Sequence, residues 1–163
     1  MVLRHWSLPA VALALVGGLA AACSDDDGPD LTDPVPASLA GDWEATPECR
    51  PPCAFTVIPV ANPADSISLL DLSASVEISI GTGGGFVLRL QLPGSGVLPL
   101  AGTARTVGST IYVTGPGGAV DTATYSLAND LLTLEYQNEI KGIDFDEDGV
   151  ADRGRVRAIL RRK

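Results

Sequence analysis

Histidine is almost missing: the single one, His5, falls in the first few residues, and the rest of the chain has none. Without it the chain lacks the commonest general base and the commonest zinc ligand, which argues against most hydrolases and zinc enzymes. Aromatic residues are sparse at 5%, and methionine occurs once. Basic residues are outnumbered, 11 Lys and Arg against 20 Asp and Glu, for a net charge of −9. Proteins bind nucleic acid largely by neutralising phosphates with Lys and Arg, so nucleic acid is not an expected partner. Charged residues at 19% and hydrophobic residues at 45% are the balance of a globular chain, neither disordered nor polytopic. What the sequence does have is turn formers, with 18 Gly and 12 Pro.

Long apolar runs are also lacking. The stretch from Leu8 to Leu19 is broken by Pro9 and is shorter than the ~20 residues that a membrane-crossing helix needs. It follows Arg4 and His5 and precedes Ala20, Ala21 and Ala22, so residues 1–22 have the layout of a secretory signal peptide. Leu19-Ala20-Ala21-Ala22-Cys23 resembles the lipobox of bacterial lipoproteins. That resemblance implies a lipidated Cys23 and a membrane anchor, although Ala20 stands where the family prefers Leu. Each acyl methylene adds about 0.8 kcal/mol of membrane affinity, so such an anchor is effectively permanent. Ser24 is not the Asp that the resemblance associates with inner-membrane retention, so the implied location is the outer membrane, on its periplasmic face or at the cell surface. The acidic, Pro-rich residues 23–38 read as a tether, reaching on the order of 20 Å as a coil.

Two cysteines remain, in Cys49-Arg50-Pro51-Pro52-Cys53. Outside the cytoplasm an even pair is expected to form a disulfide, here closing a tight loop between the first two strands. A redox role needs the shorter Cys-x-x-Cys spacing beside a helix start, which this segment does not offer.

From residue 39 to 163 the dominant signal is alternation with period two, punctuated by Gly, Pro, Asn and Asp. Phe86, Leu88, Leu90 and Leu92 share one face and Val87, Arg89 and Gln91 the other, the pattern of a half-buried strand. Val76, Ile78 and Ile80 precede it across Gly83-Gly84-Gly85, which predicts a hairpin. Ala123, Tyr125 and Leu127 face Leu132, Leu134 and Tyr136 across Asn129-Asp130, which predicts another. Weaker strands are expected at 42–46, 54–59, 98–106, 110–114 and 155–161. Pro63 and the spacing of Ile67 and Leu70 predict one short helix over 62–72, as a lid or plug. The fold class is all-β: an antiparallel up-and-down barrel of about eight or nine strands, closed so that no sticky edges remain, with a β-sandwich as the alternative.

Leu39-Ala40-Gly41-Asp42-Trp43 resembles the Gly-x-Trp opening of lipocalins, and residues 125–134 are similar to the late hairpin of small lipocalin-like envelope lipoproteins. The resemblance implies a barrel that holds a small apolar or amphipathic ligand, with Trp43, Phe86, Leu88, Leu90, Tyr125 and Tyr136 as lining residues. For each of them, ordinary core packing is the competing account.

Asp144-Phe145-Asp146-Glu147-Asp148-Gly149-Val150-Ala151-Asp152 is the sharpest chemical pattern in the chain. Carboxylates at alternate positions of a tight loop can converge on a cation, and calcium takes six to eight oxygen ligands at about 2.3–2.6 Å. The expected ligands are Asp144, Asp146, Asp148, the Val150 carbonyl and Asp152. The spacing resembles the calcium loops of EF-hands and thrombospondin-type repeats, but Arg155 stands where an EF-hand has its bidentate Glu. A structural ion is therefore expected, without a helix-opening switch.

No nucleophile has an evident activating base, so the chain is not expected to be an enzyme. Two readings remain: a lipid-anchored envelope barrel that binds a small ligand, and a barrel with a filled core that is a structural or protein-interaction module. The terminal strand, 155–161, is expected to pair with the first strand and close the barrel; Arg153, Arg155, Arg157, Arg161, Arg162 and Lys163 read as a basic edge for anionic head groups or an acidic partner or, the commoner account, as charges that guard an edge strand against aggregation.

Overall fold

The computed structural model describes residues 35–49, 51–92, 94–144 and 149–163. The expected signal peptide, Cys23, most of the tether, and Asp146 and Asp148 lie outside these residues. The strands are β1 (Gly41–Ala45), β2 (Ala54–Pro59), β3 (Ile67–Ser68), β4 (Ser75–Ile80), β5 (Gly85–Gln91), β6 (Val97–Val107), β7 (Thr110–Thr114), β8 (Val120–Ala128), β9 (Leu131–Tyr136), β10 (Ile140–Ile143) and β11 (Asp152–Arg162). β1, β4, β5, β6, β7, β8, β9 and β11 pair in that order, and β11 returns to β1 through Trp43↔Arg162 and Glu44↔Arg161. The result is a closed, antiparallel, up-and-down barrel of eight strands.

Alternation along each strand sorts the side chains. Directly paired residues point to the same face, so the line Ile78↔Leu88↔Leu100 faces inward while Glu77↔Arg89 faces solvent. Leu132 and Leu160, cross-strand partners, are both fully buried. Burying each contributes about 1.5–3 kcal/mol relative to leaving it exposed. Both predicted hairpins form, with Ile80 opposite Phe86 and Ala128 opposite Leu131. Asn129 (φ 52°) and Asp130 (φ 60°) both adopt the left-handed region that a two-residue hairpin turn requires and that Asn and Asp tolerate.

The barrel has two distinct ends. Turns at 81–84, 108–109 and 129–130, the segment 35–40 and the last residues of β11 gather at one end, the floor, and the connections 60–74 and 115–119 lie toward the other. Core packing begins before β1, since Val35 is 4% exposed and Leu39 is fully buried.

β2 runs along the same edge of β11 that β1 uses, pairing from Pro59↔Gly154 to Ala54↔Ile159. β1 and β2 are thus successive parts of one strand path, interrupted by residues 46–53. The Cys49–Cys53 disulfide, with Cα atoms 5.5 Å apart, pinches that interruption into a loop, as expected.

Two expectations are corrected. Residues 62–72 form no α-helix but a 3₁₀ turn (Pro63–Asp65), the short β3 and further turns. Asn62 caps only a single turn, accepting from the Ala64 N–H at 3.3 Å, and the chain then turns extended at Ser66. The open edge of β2 competes successfully for the backbone donors: Leu69 N–H reaches the Phe55 carbonyl at 2.7 Å. The segment still plugs, since Leu69 and Leu70 are 4% and 2% exposed.

The terminal strand pairs with the first, as expected, so its cations do not guard an open edge. β11 is paired with β9 and β10 on one side and with β1 and β2 on the other. Its outward basic groups sit over acids of neighbouring segments: Arg157 on Glu135 of β9 at 3.3 Å, Arg153 on Glu139 of the β9–β10 connection at 3.5 Å, and Arg161 on Glu44 of β1 at 2.7 Å. Most of these groups are well exposed, and such pairs are worth about 0–1 kcal/mol each.

Candidate functional site

At the floor, Trp43 is 1% exposed and its indole N–H donates to the Leu39 carbonyl at 3.0 Å. Arg162 has the same strand parity as Val156, Ala158 and Leu160, which places it over the barrel opening rather than on the outer wall. Its guanidinium lies 4.2 Å from the Trp43 ring centroid and donates to the Ala40 carbonyl at 2.9 Å and the Ser38 carbonyl at 2.6 Å. Gly41 makes room for it: a Cβ there would collide with the guanidinium, and its φ of +137° suits only glycine. Tryptophan, arginine and the segment before β1 therefore seal this end. Sequence reasoning grouped Arg162 with the other terminal cations; strand parity was the signal that singled it out.

Among the described residues, two cavities open between inward-facing side chains. The larger, about 40 Å³, is bounded by residues that include Phe55, Val76, Leu88, Leu90, Val156 and Tyr136. The smaller, about 10 Å³, is bounded by residues that include Phe86, Ile111, Val113, Ala123, Asp121 and Tyr136. Leu134 and Tyr136 line both, so the two cavities lie side by side at these residues. Of the expected lining residues, Phe86 borders the smaller cavity, Leu88 and Leu90 the larger, and Tyr136 both. Trp43 and Tyr125 border neither: Trp43 is in the floor, and Tyr125 is drawn toward that end by a bond from its hydroxyl to the Gly108 carbonyl at 3.1 Å.

Tyr136 is the one aromatic hydroxyl set against this apolar lining. Burial pushes its pKa up to about 12, and the nearby Asp121 carboxylate adds to the shift, so the phenol is neutral at physiological pH. Asp121 lies on β8, with its Oδ1 accepting from Asn138 Nδ2 at 2.9 Å. Neither Asp121 nor Asn138 was singled out in the sequence, where each reads as a polar residue near a turn.

The acidic segment forms the connection between β10 and β11. Gly149, at φ +89°, turns the chain back so that its N–H reaches Asp144 Oδ2 at 2.8 Å. Asp144, Val150 and Asp152 are thereby placed around one short hairpin connection. Donor chemistry fits a hard cation, since all the side-chain candidates are carboxylates. Among the described residues no group of three acid, His or Cys side chains is gathered for a metal.

No known family model matches the chain, and no curated protein is similar to it.

Proposed function

We propose that this protein is an exported lipoprotein of the cell envelope, anchored to the outer membrane through lipidated Cys23, whose barrel binds a small apolar or amphipathic ligand without catalysing a reaction. Supporting the ligand reading is one observation above all: the barrel is sealed at its floor but incompletely filled above it, where two apolar cavities meet at Tyr136. Their size limits what enters. Drug-sized ligands occupy about 300–1,000 Å³, so a ligand here inserts only a small part of itself unless the Tyr136 ring moves aside. A calcium ion held by Asp144, Asp146, Asp148, the Val150 carbonyl and Asp152 would fix the β10–β11 connection. It would supply charge neutralisation and rigidity, not chemistry.

A second reading has its own observation. Cavities of about 40 and 10 Å³ suit a filled core, in which case the barrel is a structural or protein-interaction module. Native mass spectrometry on the full chain carrying Cys23→Ser, exported to a bacterial periplasm and purified without chelator, separates the two. A stoichiometric organic mass supports ligand binding. Calcium alone, with indifference to small hydrophobic probes, transfers the search to protein partners. Radiolabelled fatty acid incorporated into the wild-type chain and lost in Cys23→Ser tests the anchor.

A further inference from the structure

The smaller cavity differs from the larger in carrying a carboxylate. Its wall combines Asp121 with two aromatic rings, Phe86 and Tyr136, and aliphatic side chains. Four glutamates of the barrel come with cations: Glu44 with Arg161 and Lys163, Glu77 with Lys163, Glu135 with Arg157, and Glu139 with Arg153 and Arg155, while Asp42 accepts from the Ser79 hydroxyl at 2.6 Å away from either cavity. Asp121 instead has the neutral amide of Asn138, and among the described side chains no ammonium or guanidinium lies within ion-pair distance of it. Its charge therefore lies without a cation at the border of an apolar cavity that two aromatic rings also line, and aromatic rings too attract a cation.

We propose that the ligand of this barrel is an organic cation with an apolar body, its ammonium group seated against Asp121 and the Phe86 and Tyr136 rings and its hydrocarbon part directed into the larger cavity past Tyr136. This rests on the ligand-binding reading above and names the ligand class for the same site. Both parts of such a ligand find their complement: the carboxylate and rings take the charge, and Val76, Leu90 and Val156 take the chain. A fatty acid presents the same negative charge as Asp121, and like charges disfavour it.

Three probes with the same six-carbon tail and different heads make the test: hexylammonium, hexanol and hexanoate. Each is titrated into the full chain carrying Cys23→Ser, with binding read by ligand-observed NMR. The cation should bind at least tenfold more tightly than hexanoate, and Asp121→Asn should erase most of that advantage while leaving hexanol binding unchanged. The amide oxygen of the variant can still accept from Asn138, and an unchanged melting temperature confirms that it folds. Equal affinity for the three probes, or a preference for hexanoate, overturns the cation assignment and leaves the ligand reading standing. Binding of none of them overturns both. A cation preference that survives Asp121→Asn also overturns the assignment, because the charge that selects the ligand then lies elsewhere.

Discussion

Arg162 covers the ring of Trp43, although the two are 119 positions apart in the sequence, one on the first strand of the barrel and the other on the last. They are also direct cross-strand partners, so the contact that closes the barrel wall is the contact that seals its floor. A guanidinium is suited to this place because one planar group can stack on the indole and still donate to two carbonyls. Arg162→Ala removes the stack and both of those bonds and should cost on the order of 2 kcal/mol. Lysine cannot reproduce the fork, so Arg162→Lys should recover less than half of that, as measured by urea unfolding. Gly41→Ala should be similarly destabilising, since its methyl would displace the same guanidinium. Equal stability of all three variants would show that the floor is held by other contacts.

Calcium should raise the melting temperature of the wild-type protein, because an ion that binds only the folded state stabilises it by mass action. Asp146→Asn combined with Asp148→Asn should remove that rise without lowering the melting temperature measured in chelator. An equal rise in the variant would sink the metal assignment.

Acid should weaken the barrel seam through Glu44. A hydrogen bond from Arg161 holds its carboxyl below the ordinary value of 4.5, aided by the charges of Arg161 and Lys163 and opposed by burial. A carboxylate with a depressed folded pKa contributes stability above its unfolded value, and that contribution is lost as pH falls through the folded pKa. The loss therefore falls below about pH 4.5. Glu44→Gln should be less stable than wild type at neutral pH, and the difference should shrink as the solution is acidified through that range. A constant difference would mean that the ion pair is not what Glu44 contributes.

Alkali acts through Tyr136. Its folded pKa of about 12 lies above the ordinary 10, so the neutral phenol favours folding, and that stability is lost as pH rises from 10 through about 12. Tyr136→Phe should resist alkaline unfolding better than wild type. It should also lack the late component of phenolate absorbance, and a spectrum with the component intact would place it on another tyrosine.

Reduction should destabilise the segment between β1 and β2. Closing so short a loop is worth about 2 kcal/mol in the unfolded chain, near the lower end for disulfides. Cys49→Ser with Cys53→Ser should lose about that much in equilibrium unfolding. A much larger loss would indicate that the bond also maintains the β1–β2 alignment along β11.

The inward faces of the strands were legible because alternation is local: Phe86, Leu88 and Leu90 share a face whatever they pair with. How far along the barrel each residue sits was not. Tyr125 and Tyr136 have the same parity, yet only Tyr136 borders the cavities, because depth depends on the registers of β8 and β9 with their neighbours. Residues 62–72 misled for a related reason. Helical spacing of Ile67 and Leu70 is a local cue, and the open edge of β2, which outweighed it, exists only once β2 has docked on β11.

By itself, then, the sequence determined what short-range physics can: strands from period-two alternation, hairpins from Asn129-Asp130 and the glycine run, and a disulfide from two close cysteines. Tertiary structure decided the rest. Arg162 became a floor residue instead of an edge charge, Asp121 was brought beside Tyr136, and the interior closed down to small cavities. The first and the last follow from pairing registers between strands far apart in sequence, such as β1 with β11, and no local pattern carries that information, whereas Asp121 and Tyr136 meet through the β8–β9 hairpin.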